Sequence, residues 1–458
     1  MAAEIVYRQS QMASDPPKAV AKRMIERLQR AGFSAFWVGG CVRDFLLGRE
    51  PQDFDIATDA RPEQVEKLFK RTIPVGKRFG VMLVVENQHQ FQVATFRSEA
   101  EYRDGRHPAR VIFAGARADA QRRDFTVNGL FYDPVSETLL DWVGGEKDLR
   151  AKIIRTIGAP EERFAEDHLR LLRAVRFSAQ LNFAIEPETF AAIKRLAPKI
   201  KLISAERVRD ELTKLFMPPH AARGLVLLRD SGLLEQVLPE LGATISCEQS
   251  PDYHPEGTVF EHIRLMLENL PAGAGVSLPW AVLLHDIAKP LTAEKDLNTG
   301  AIHFYGHEKV GAEMARGILK RLRFPGREID EIAACVRNHM QFKDVKQMRK
   351  ATLRRLLLRG TFPLELELHR LDCLASHGAL DHHTFLLAQA RELEQKPAIR
   401  PPLLTGDDLI ALGLKPGPAM GALLREIRER QLQDELKTRR QARAWARMRI
   451  SERPAAKS

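Results

Sequence analysis

The stretch GGCVRDFLLGREPQDFDIAT, residues 39–58, decides the fold of the amino-terminal part of this chain. Its glycine pair, Gly39-Gly40, comes directly after the β-prone run Ala35–Val38 and shortly before residues 45–47, which are predicted to be helical. A glycine pair between a strand and a helix exposes backbone N–H groups at the helix N-terminus, where phosphate groups bind. The stretch predicts a strand, a turn and a helix, and the turn has two interpretations, a phosphate site and an ordinary glycine turn.

The same stretch contains two aspartates, Asp53 and Asp55, at a predicted strand over Phe54–Ala57. Residues i and i+2 of a strand point to the same face of the sheet. Two carboxylates placed there repel each other unless a cation lies between them, so the pair predicts a divalent cation site. A solvated strand end with a turn-forming aspartate is the alternative interpretation.

Outward from this stretch, residues 1–150 carry further β-prone runs broken by turn-forming residues. These predicted strands are Val81–Val85, Phe91–Phe96 and Val111–Phe113. Pro62–Arg71 has the apolar spacing of a helix. The amino-terminal part is therefore predicted to be a small mixed sheet with helices packed on it.

After about residue 148 the pattern becomes helical almost throughout. Helices are predicted at 165–180, at 204–216 and, as a basic helix, at 422–449. The fold class is therefore multidomain and mostly α, with one α+β domain at the amino-terminal end.

The composition is that of a globular chain with an excess of positive charge. Of 458 residues, 71 are Lys or Arg and 60 are Asp or Glu, which leaves a net charge of +11. Such a charge suits a polyanionic partner, although many globular proteins are mildly basic. No apolar run approaches the roughly 18 residues of a membrane span, so no membrane partner is predicted.

The four cysteines lie far apart and form no CxxC pair, which excludes a zinc ribbon and a disulfide scaffold. The first thirty residues lack the apolar region of a secretory signal. Both features predict a cytoplasmic location.

Two further motifs follow the first stretch in the sequence. They are RRDFTVNG at residues 122–129 and EDHLR at residues 166–170. In this order and spacing the motifs resemble the class II tRNA nucleotidyltransferase and bacterial poly(A) polymerase family, a branch of the polymerase-β superfamily. The resemblance covers about residues 33–217. It implies a polymerase-β-like nucleotidyltransferase head at 1-150, a helical neck at 151-220, a helical body with an HD domain at 221-395 and a tRNA-binding helical tail at 396-458.

The resemblance also implies roles for single residues. Asp53 and Asp55 would bind two Mg²⁺ ions, and Gly40, Arg43 and Arg123 would contact the incoming triphosphate. Asp124 has two possible roles, as a third carboxylate or as a structural anchor.

The predicted helix that begins near Phe164 carries Asp167, Arg170, Arg173 and Arg176 on one face, at intervals of three residues. A solvated cationic stripe with one ion pair would give the same pattern. A carboxylate accepts from the exocyclic amine of cytosine or adenine, and a guanidinium donates to the neighbouring ring nitrogen. The resemblance makes Asp167 and Arg170 the pair that selects CTP and ATP without a nucleic-acid template, with Arg173 and Arg176 on the base or the phosphates.

The family contains sister activities, and two segments favour one of them. Residues 75–80, VGKRFG, are close to the tRNA-enzyme pattern, and residues 96–108 resemble the flexible loop that complete CCA enzymes need for the final A. The prediction is therefore addition of CCA to the tRNA 3′ end from CTP and ATP. A poly(A) polymerase and an enzyme that adds only the A remain as alternatives.

A His-rich region follows the neck. The residues that form the pattern of HD-type phosphohydrolases are His262, His285, Asp286, His307, His339 and Asp372. Imidazoles with carboxylates suit a transition metal, and such an ion activates water against a phosphoester. The pattern predicts a metal site and, beyond it, a possible hydrolytic activity. It also leaves a third hypothesis, an HD phosphohydrolase whose head only binds RNA.

Overall fold

The computed structural model describes residues 15–102, 108–251, 253–296, 298–299, 301–395 and 402–451. The described chain forms two compact units. The first contains the described residues up to Leu215 together with Arg223–Pro239, and the second contains Phe216–Ala222 and the described residues from Glu240 onward.

A seven-stranded mixed sheet organises the first unit, in the order β3-β4-β5-β2-β1-β8-β9. Its strands are β1 (Ala35–Val38), β2 (Ile56–Thr58), β3 (Thr72–Gly76), β4 (Val81–Glu86), β5 (His89–Thr95), β8 (Phe131–Asp133) and β9 (Thr138–Leu140). Only the pair β2 and β5 is parallel, with Ala57 opposite Ala94, and the other neighbours are antiparallel. The predicted mixed sheet is confirmed.

Two further two-stranded sheets lie outside this sheet. Strands β6 (Arg97–Tyr102) and β7 (Pro108–Phe113) pair antiparallel, and β10 (Ile153–Ile154) pairs parallel with β11 (Ala184–Ile185). The loop predicted at residues 96–108 includes residues 103–107, which lie outside the described residues.

Aromatic side chains fill the core on both faces of β1. Trp37 packs against Phe54 with ring centroids 4.9 Å apart, and on the other face Phe36 contacts Phe96 and Phe131. Large aromatic side chains bury much apolar area, so this packing stabilises β1 from both faces. Because β1 leads into the glycine turn, this core also fixes the start of the site.

Helices of the first unit cover the sheet and continue beyond it. They are α1 (Pro17–Arg30), α2 (Gly40–Leu46), α3 (Pro62–Leu68), α4 (Ala116–Gln121), α5 (Gly145–Ala151), α6 (Pro160–Glu166), α7 (Leu169–Leu181), α8 (Pro187–Leu196), α9 (Ala205–Leu215) and α11 (Leu234–Val237). Two further helices, α10 (Ala221–Asp230) and α12 (Pro239–Gly242), include the points where the chain changes units. Helix α7 packs against α9, which brings two distant stretches of sequence together.

The second unit is helical, with one small hairpin of β12 (Ala293–Lys295) and β13 (Ile302–Phe304). Its helices are α13 (Val259–Glu268), α14 (Ser277–Leu284), α15 (Lys289–Thr292), α16 (His307–Arg321), α17 (Gly326–Asn338), α18 (Lys350–Leu357), α19 (Phe362–Ala375), α20 (Asp381–Gln395), α21 (Gly406–Ile410), α22 (Pro418–Leu432) and α23 (Arg439–Ser451). Helix α14 is buried on all sides, as its uninterrupted apolar sequence requires. Among the described residues there is no helix with the length and apolar character needed to span a membrane.

Three predicted elements differ from the observed ones. The strand predicted at Phe54–Ala57 begins only at Ile56, the helix predicted at 165–180 is interrupted at Asp167, and the basic helix predicted at 422–449 is two helices, α22 and α23. In the last case Asp434 has a left-handed backbone with φ of +65°, which no α-helix accommodates. The predicted mostly helical, multidomain fold class is confirmed.

Candidate active site

The glycine turn after β1 begins the site. Gly39 has φ of +74°, a conformation that favours glycine, and helix α2 starts at the next residue. A Cβ on Gly39 would lie 2.9 Å from Nη1 of Arg123, so glycine also allows this guanidinium to approach the turn. The turn is therefore fixed by both backbone conformation and a close contact.

A cavity of about 420 Å³ opens beside this turn, entirely within the first unit. Six arginines and three aspartates are among its lining residues, so the cavity carries an excess of positive charge that suits a polyphosphate. The lining residues are Gly39, Gly40, Arg43, Asp55, Arg122, Arg123, Asp124, Asn128, Asp167, Leu169, Arg170, Arg173, Phe177 and Arg207.

The two aspartates of the first motif lie just before β2, not within it. Asp55 is half-buried and lines the cavity, whereas Asp53 is exposed in the preceding turn. The backbone is already aligned with β1 at Asp55, whose carbonyl accepts from the N–H of Val38 at 3.0 Å. Burial raises the pKa of Asp55, Arg123 lowers it and the negative charge of Asp53 raises it further. A cation would relieve both unfavourable effects, so this carboxylate pair fits a hard divalent metal.

Two arginines of the site are held by carboxylates. The guanidinium of Arg43 donates to Asp44 at 2.9 Å and to Oδ1 of Asn128 at 2.6 Å. The guanidinium of Arg123 donates to the buried Asp119 at 3.1 Å. Planar guanidinium groups fixed in this way remain oriented toward an anionic ligand.

Asp124 is a structural anchor, one of its two predicted roles. Both Nε and Nη2 of Arg173 donate to its Oδ2, at 2.9 Å and 2.6 Å. Its Oδ1 accepts from the side chain of Asn128 at 3.1 Å and from the N–H of Phe125 at 2.8 Å. Burial opposes ionisation, but Arg173 and Asn128 outweigh it and lower the pKa of Asp124 to about 2. A carboxylate so fully occupied by protein donors has little capacity left for a metal.

The prediction that Asp167 shares a helix face with the three arginines is wrong, although Arg170, Arg173 and Arg176 all lie on α7. Asp167 has an extended backbone between α6 and α7, and its Oδ1 accepts from the N–H of Leu169 at 3.1 Å. Its ion-pair partner is Arg207 on α9, not Arg170. Helix period alone placed Asp167 inside the helix, whereas its short side chain competes for backbone N–H groups and ends α6 instead.

Arg170 also lines the cavity, but its side chain is held by partners other than Asp167. Its Nη1 pairs with Glu166 and donates to the carbonyl of Arg163 at 2.9 Å. The N–H of Arg170 donates to the carbonyl of Asp167 at 3.0 Å. Both residues line the cavity, but their side chains have different ion-pair partners, Glu166 for Arg170 and Arg207 for Asp167.

Arg176 lies apart from the cavity lining. Its Nε donates to Oε2 of Glu211 at 2.6 Å, and its guanidinium packs 4.1 Å from the ring centroid of Phe177. This side chain is buried, and burial lowers its pKa although Glu211 opposes the change. The contacts describe a bridge between α7 and α9.

A second cluster of histidines and aspartates converges in the second unit. Its members are His262 on α13, His285 and Asp286 after α14, His307 on α16, His339 after α17 and Asp372 on α19. Nε2 of His285 and of His307 lie 3.2 Å and 3.3 Å from the carboxylate of Asp286, and Nε2 of His339 lies 3.6 Å away. The predicted residues of the HD pattern are thus brought together.

The imidazole rings are oriented as metal ligands. Nδ1 of His285, His307 and His339 each lies within 2.7–2.9 Å of the backbone carbonyl three residues earlier. Nδ1 therefore carries a hydrogen in each ring, and in a neutral ring Nε2 presents a lone pair to the centre. Nε2 of His307 and of His339 are only 3.1 Å apart, so with both rings neutral two lone pairs face each other, an arrangement that a cation beside them would stabilise. The donor set fits a transition metal.

Burial shapes the charges of this cluster. It lowers the pKa of His339 to about 3, which keeps this ring neutral. Despite burial, His285 and Lys289 hold the pKa of Asp286 well below its usual range. Burial also opposes protonation of His262, yet Asp372 and Glu256 raise the pKa of that ring to about 9.

Sequence reasoning missed several residues that shape both clusters. Arg207 and Asn128 line the cavity, and Glu256 lies 2.5 Å from Nδ1 of His262. Asn128 stands inside the quoted RRDFTVNG motif, so that motif contained a signal for it. Arg207 has no such local signal, because its partner lies 40 positions away in the sequence.

Comparisons with known proteins agree with this geometry. Three protein-family models match the sequence. The family model for the poly(A) polymerase head domain matches residues 35–155, the one for the probable RNA- and SrmB-binding site of polymerase A matches residues 182–244, and the one for the HD domain matches residues 258–376. The A-adding tRNA nucleotidyltransferase of Deinococcus radiodurans is 35% identical over 433 residues, which cover 91% of this chain and 96% of the relative. The CCA-adding enzyme of Levilactobacillus brevis is 32% identical over 412 residues, covering 89% and 92%.

A solved structure resembles nearly the whole chain. The crystal structure of the Bacillus stearothermophilus CCA-adding enzyme in complex with CTP matches with a TM-score of 0.72 and 29% identity, over 95% of this chain and 98% of that one. Two relatives are more than 30% identical to this chain across nearly their full length, and the head and HD family models match in the predicted order. Together these matches identify the family. The chain belongs to the tRNA nucleotidyltransferase and poly(A) polymerase family, in its form with an HD domain, and is a nucleotidyltransferase.

Proposed function

We propose that this enzyme builds or repairs the CCA end of tRNA, transferring CMP and AMP from CTP and ATP without a nucleic-acid template. One observation carries the proposal, namely that a single cavity contains Asp55, Arg43 and Arg123 from the head together with Asp167 and Arg170 near α7. The first three suit a triphosphate with its cation, and the last two suit the edge of a base. A site with both parts needs no template strand.

The residues divide the work of the reaction. Gly40, Arg43 and Arg123 bind the triphosphate, and the positive cavity holds it in line with the 3′-hydroxyl of the RNA. Asp53 and Asp55 hold Mg²⁺, which when bound neutralises charge on the reacting phosphate oxygens. Arg173 keeps Asp124 and Asn128 in place behind Arg43, and Arg176 braces α7. Catalysis then rests on positioning and electrostatics.

The division into a head at 1-150, a neck at 151-220, a body at 221-395 and a tail at 396-458 is part of this proposal. Its tail includes α23, a helix with five arginines, which suits the backbone of tRNA. A cytoplasmic location follows from this substrate and fits the four cysteines, all of which are buried free thiols.

The Deinococcus relative is named an A-adding tRNA nucleotidyltransferase, so the first experiment separates A addition from complete CCA addition. The purified enzyme is incubated with tRNA ending before CCA, after the first C and after CC, with labelled CTP or ATP. Complete CCA addition predicts labelled C on the first two substrates and A on the third. Label from ATP alone on the third substrate would assign the A-adding activity, and long A tails on unrelated RNA would assign a poly(A) polymerase.

We also propose that the cluster of the second unit binds one or two transition-metal ions through His262, His285, Asp286, His307, His339 and Asp372. The Nε2 atoms of His307 and His339, 3.1 Å apart and both directed at the centre of the cluster, support this site. When bound, such an ion supplies an activated water for phosphoester hydrolysis. The test is release of phosphate from RNA with a terminal phosphate, and opening of a 2′,3′-cyclic phosphate to a terminal monophosphate, each compared between the wild type and Asp286→Ala. Equal rates in the two proteins would exclude a hydrolytic role for this cluster.

A further inference from the structure

The carboxylate of Asp167 is held by a residue from another helix. Nη2 of Arg207 donates to its Oδ2 at 2.6 Å, and Nη1 donates to its Oδ1 at 3.2 Å. This pairing is bidentate, a geometry that fixes the plane of the carboxylate as well as its position. Asp167 and Arg207 both line the cavity, so the fixed plane belongs to the site itself.

The acceptor positions of this carboxylate are nearly all in use. A carboxylate offers about four lone-pair positions, two on each oxygen. Oδ1 accepts from Arg207 and from the N–H of Leu169 at 3.1 Å, and Oδ2 accepts from Arg207. One position, on Oδ2, remains for a ligand.

A single acceptor of fixed direction distinguishes nucleobases. Cytosine and adenine present an exocyclic amine that donates a hydrogen bond, whereas uracil and guanine present a carbonyl at the corresponding place. A carbonyl oxygen facing a carboxylate oxygen would leave both acceptors unsatisfied, which is costly in a partly buried site. A carboxylate free to rotate would discriminate less, because it could turn away from the wrong base.

We propose that Arg207 is a positioning residue for nucleotide selection, which acts by leaving Asp167 one acceptor for the exocyclic amine of CTP or ATP. The proposal rests on the base-reading role proposed above for Asp167. Arg170 cannot supply this positioning, because Glu166 and the carbonyl of Arg163 hold its guanidinium. The arginine from α9 therefore contributes to selection although it lies outside the motifs that predicted the site.

The test is the ratio of kcat/KM for CTP over UTP on tRNA lacking CCA. Arg207→Gln should lower this ratio about tenfold, the effect of losing a charge-assisted partner. Arg207→Lys, which keeps one donor and the charge, should lie between this variant and the wild type and guards against misfolding of the first variant. Arg209→Gln is the matched control, since Arg209 lies on the same helix and donates to the exposed Asp210 at 2.8 Å, and it should leave the ratio unchanged.

A double variant separates this inference from the proposed function. Asp167→Ala alone should lower the ratio about ten- to a hundredfold, and adding Arg207→Gln to it should change nothing further. If Asp167→Ala lowers the ratio and Arg207→Gln does not, the inference is overturned while the base-reading role stands. If neither variant changes the ratio, the base-reading role fails and the inference fails with it. A loss of overall rate at a constant ratio would show that Arg207 is only structural.

Discussion

Asp124 follows the two arginines of the RRDFTVNG motif and forms a partly buried ion pair with Arg173 on helix α7, with Nη2 of Arg173 2.6 Å from Oδ2 of Asp124. From this pair hydrogen bonds continue through Asn128 to Arg43. The helix beside the proposed base-reading residues is thus linked to the proposed triphosphate-binding arginine. A buried carboxylate with such partners is also a source of pH-dependent stability.

The first prediction concerns this pair. The folded pKa of Asp124, about 2, lies below its ordinary value of 3.8, so the pair stabilises the fold fully above that ordinary value. The contribution is lost as pH falls from about 4 through about 2, and a shift of this size corresponds to about 2 kcal/mol. The wild type should therefore exceed Asp124→Asn in free energy of unfolding by a constant amount above pH 4. This difference should shrink below pH 4.

Hydrogen–deuterium exchange of α7 amides in increasing urea measures this difference for the first unit alone. Asp210→Asn, which removes an exposed carboxylate on α9, is the control and should show little pH dependence relative to wild type. A difference that stays constant down to pH 2.5 would contradict the ionised, paired state of Asp124.

A second prediction concerns the glycine turn. Gly39→Ala should raise the KM for CTP and ATP about tenfold, because the new Cβ would lie 2.9 Å from Nη1 of Arg123 and displace this guanidinium. Gly32→Ala is the control, since Gly32 also has a positive φ, +87°, but nothing lies within 4 Å of the added atom. Both variants place a side chain at a positive φ, which strains the backbone. If the two raise KM equally, strain rather than the contact with Arg123 is responsible.

A third prediction concerns the histidine cluster. His339→Ala should remove bound transition metal from the purified protein, as measured by mass spectrometry of the metal content, because it deletes one of the converging Nε2 ligands. CMP and AMP transfer with added Mg²⁺ should remain unchanged, since the proposed transfer site lies within the first unit. His303→Ala, which alters an exposed ring stacked on Tyr305, should leave the metal content as it is. Equal metal content in His339→Ala and wild type would contradict the site.

The sequence predicted local features well and distant partners poorly. The turn at Gly39-Gly40 and the strand Ala35–Val38 follow from glycine spacing and β-branched or aromatic residues, and both are where the pattern placed them. The HD residues converge as predicted, because an adjacent His-Asp pair followed by spaced histidines is a specific pattern.

The predictions that failed, one continuous helix and the partners of two aspartates, have physical causes. The apolar period through 165–180 predicted one helix, but Asp167 makes its own bond to the N–H of Leu169 and interrupts it. The pairs Asp167 with Arg207 and Asp124 with Arg173 join residues 40 and 49 positions apart. Such pairs depend on how α7 packs on α9 and on the sheet, which no local period of the sequence encodes.

The most direct test of the account is Asp55→Ala, assayed with tRNA lacking CCA and with tRNA lacking only A. If one cavity performs both transfers, CMP and AMP incorporation should fall together, by at least about a hundredfold, because the same carboxylate acts on the same reacting phosphate. The Kd for tRNA should stay within a factor of about two, since Asp55 supports the transition state rather than RNA binding. Retention of either incorporation near the wild-type rate would contradict a single site for both nucleotides.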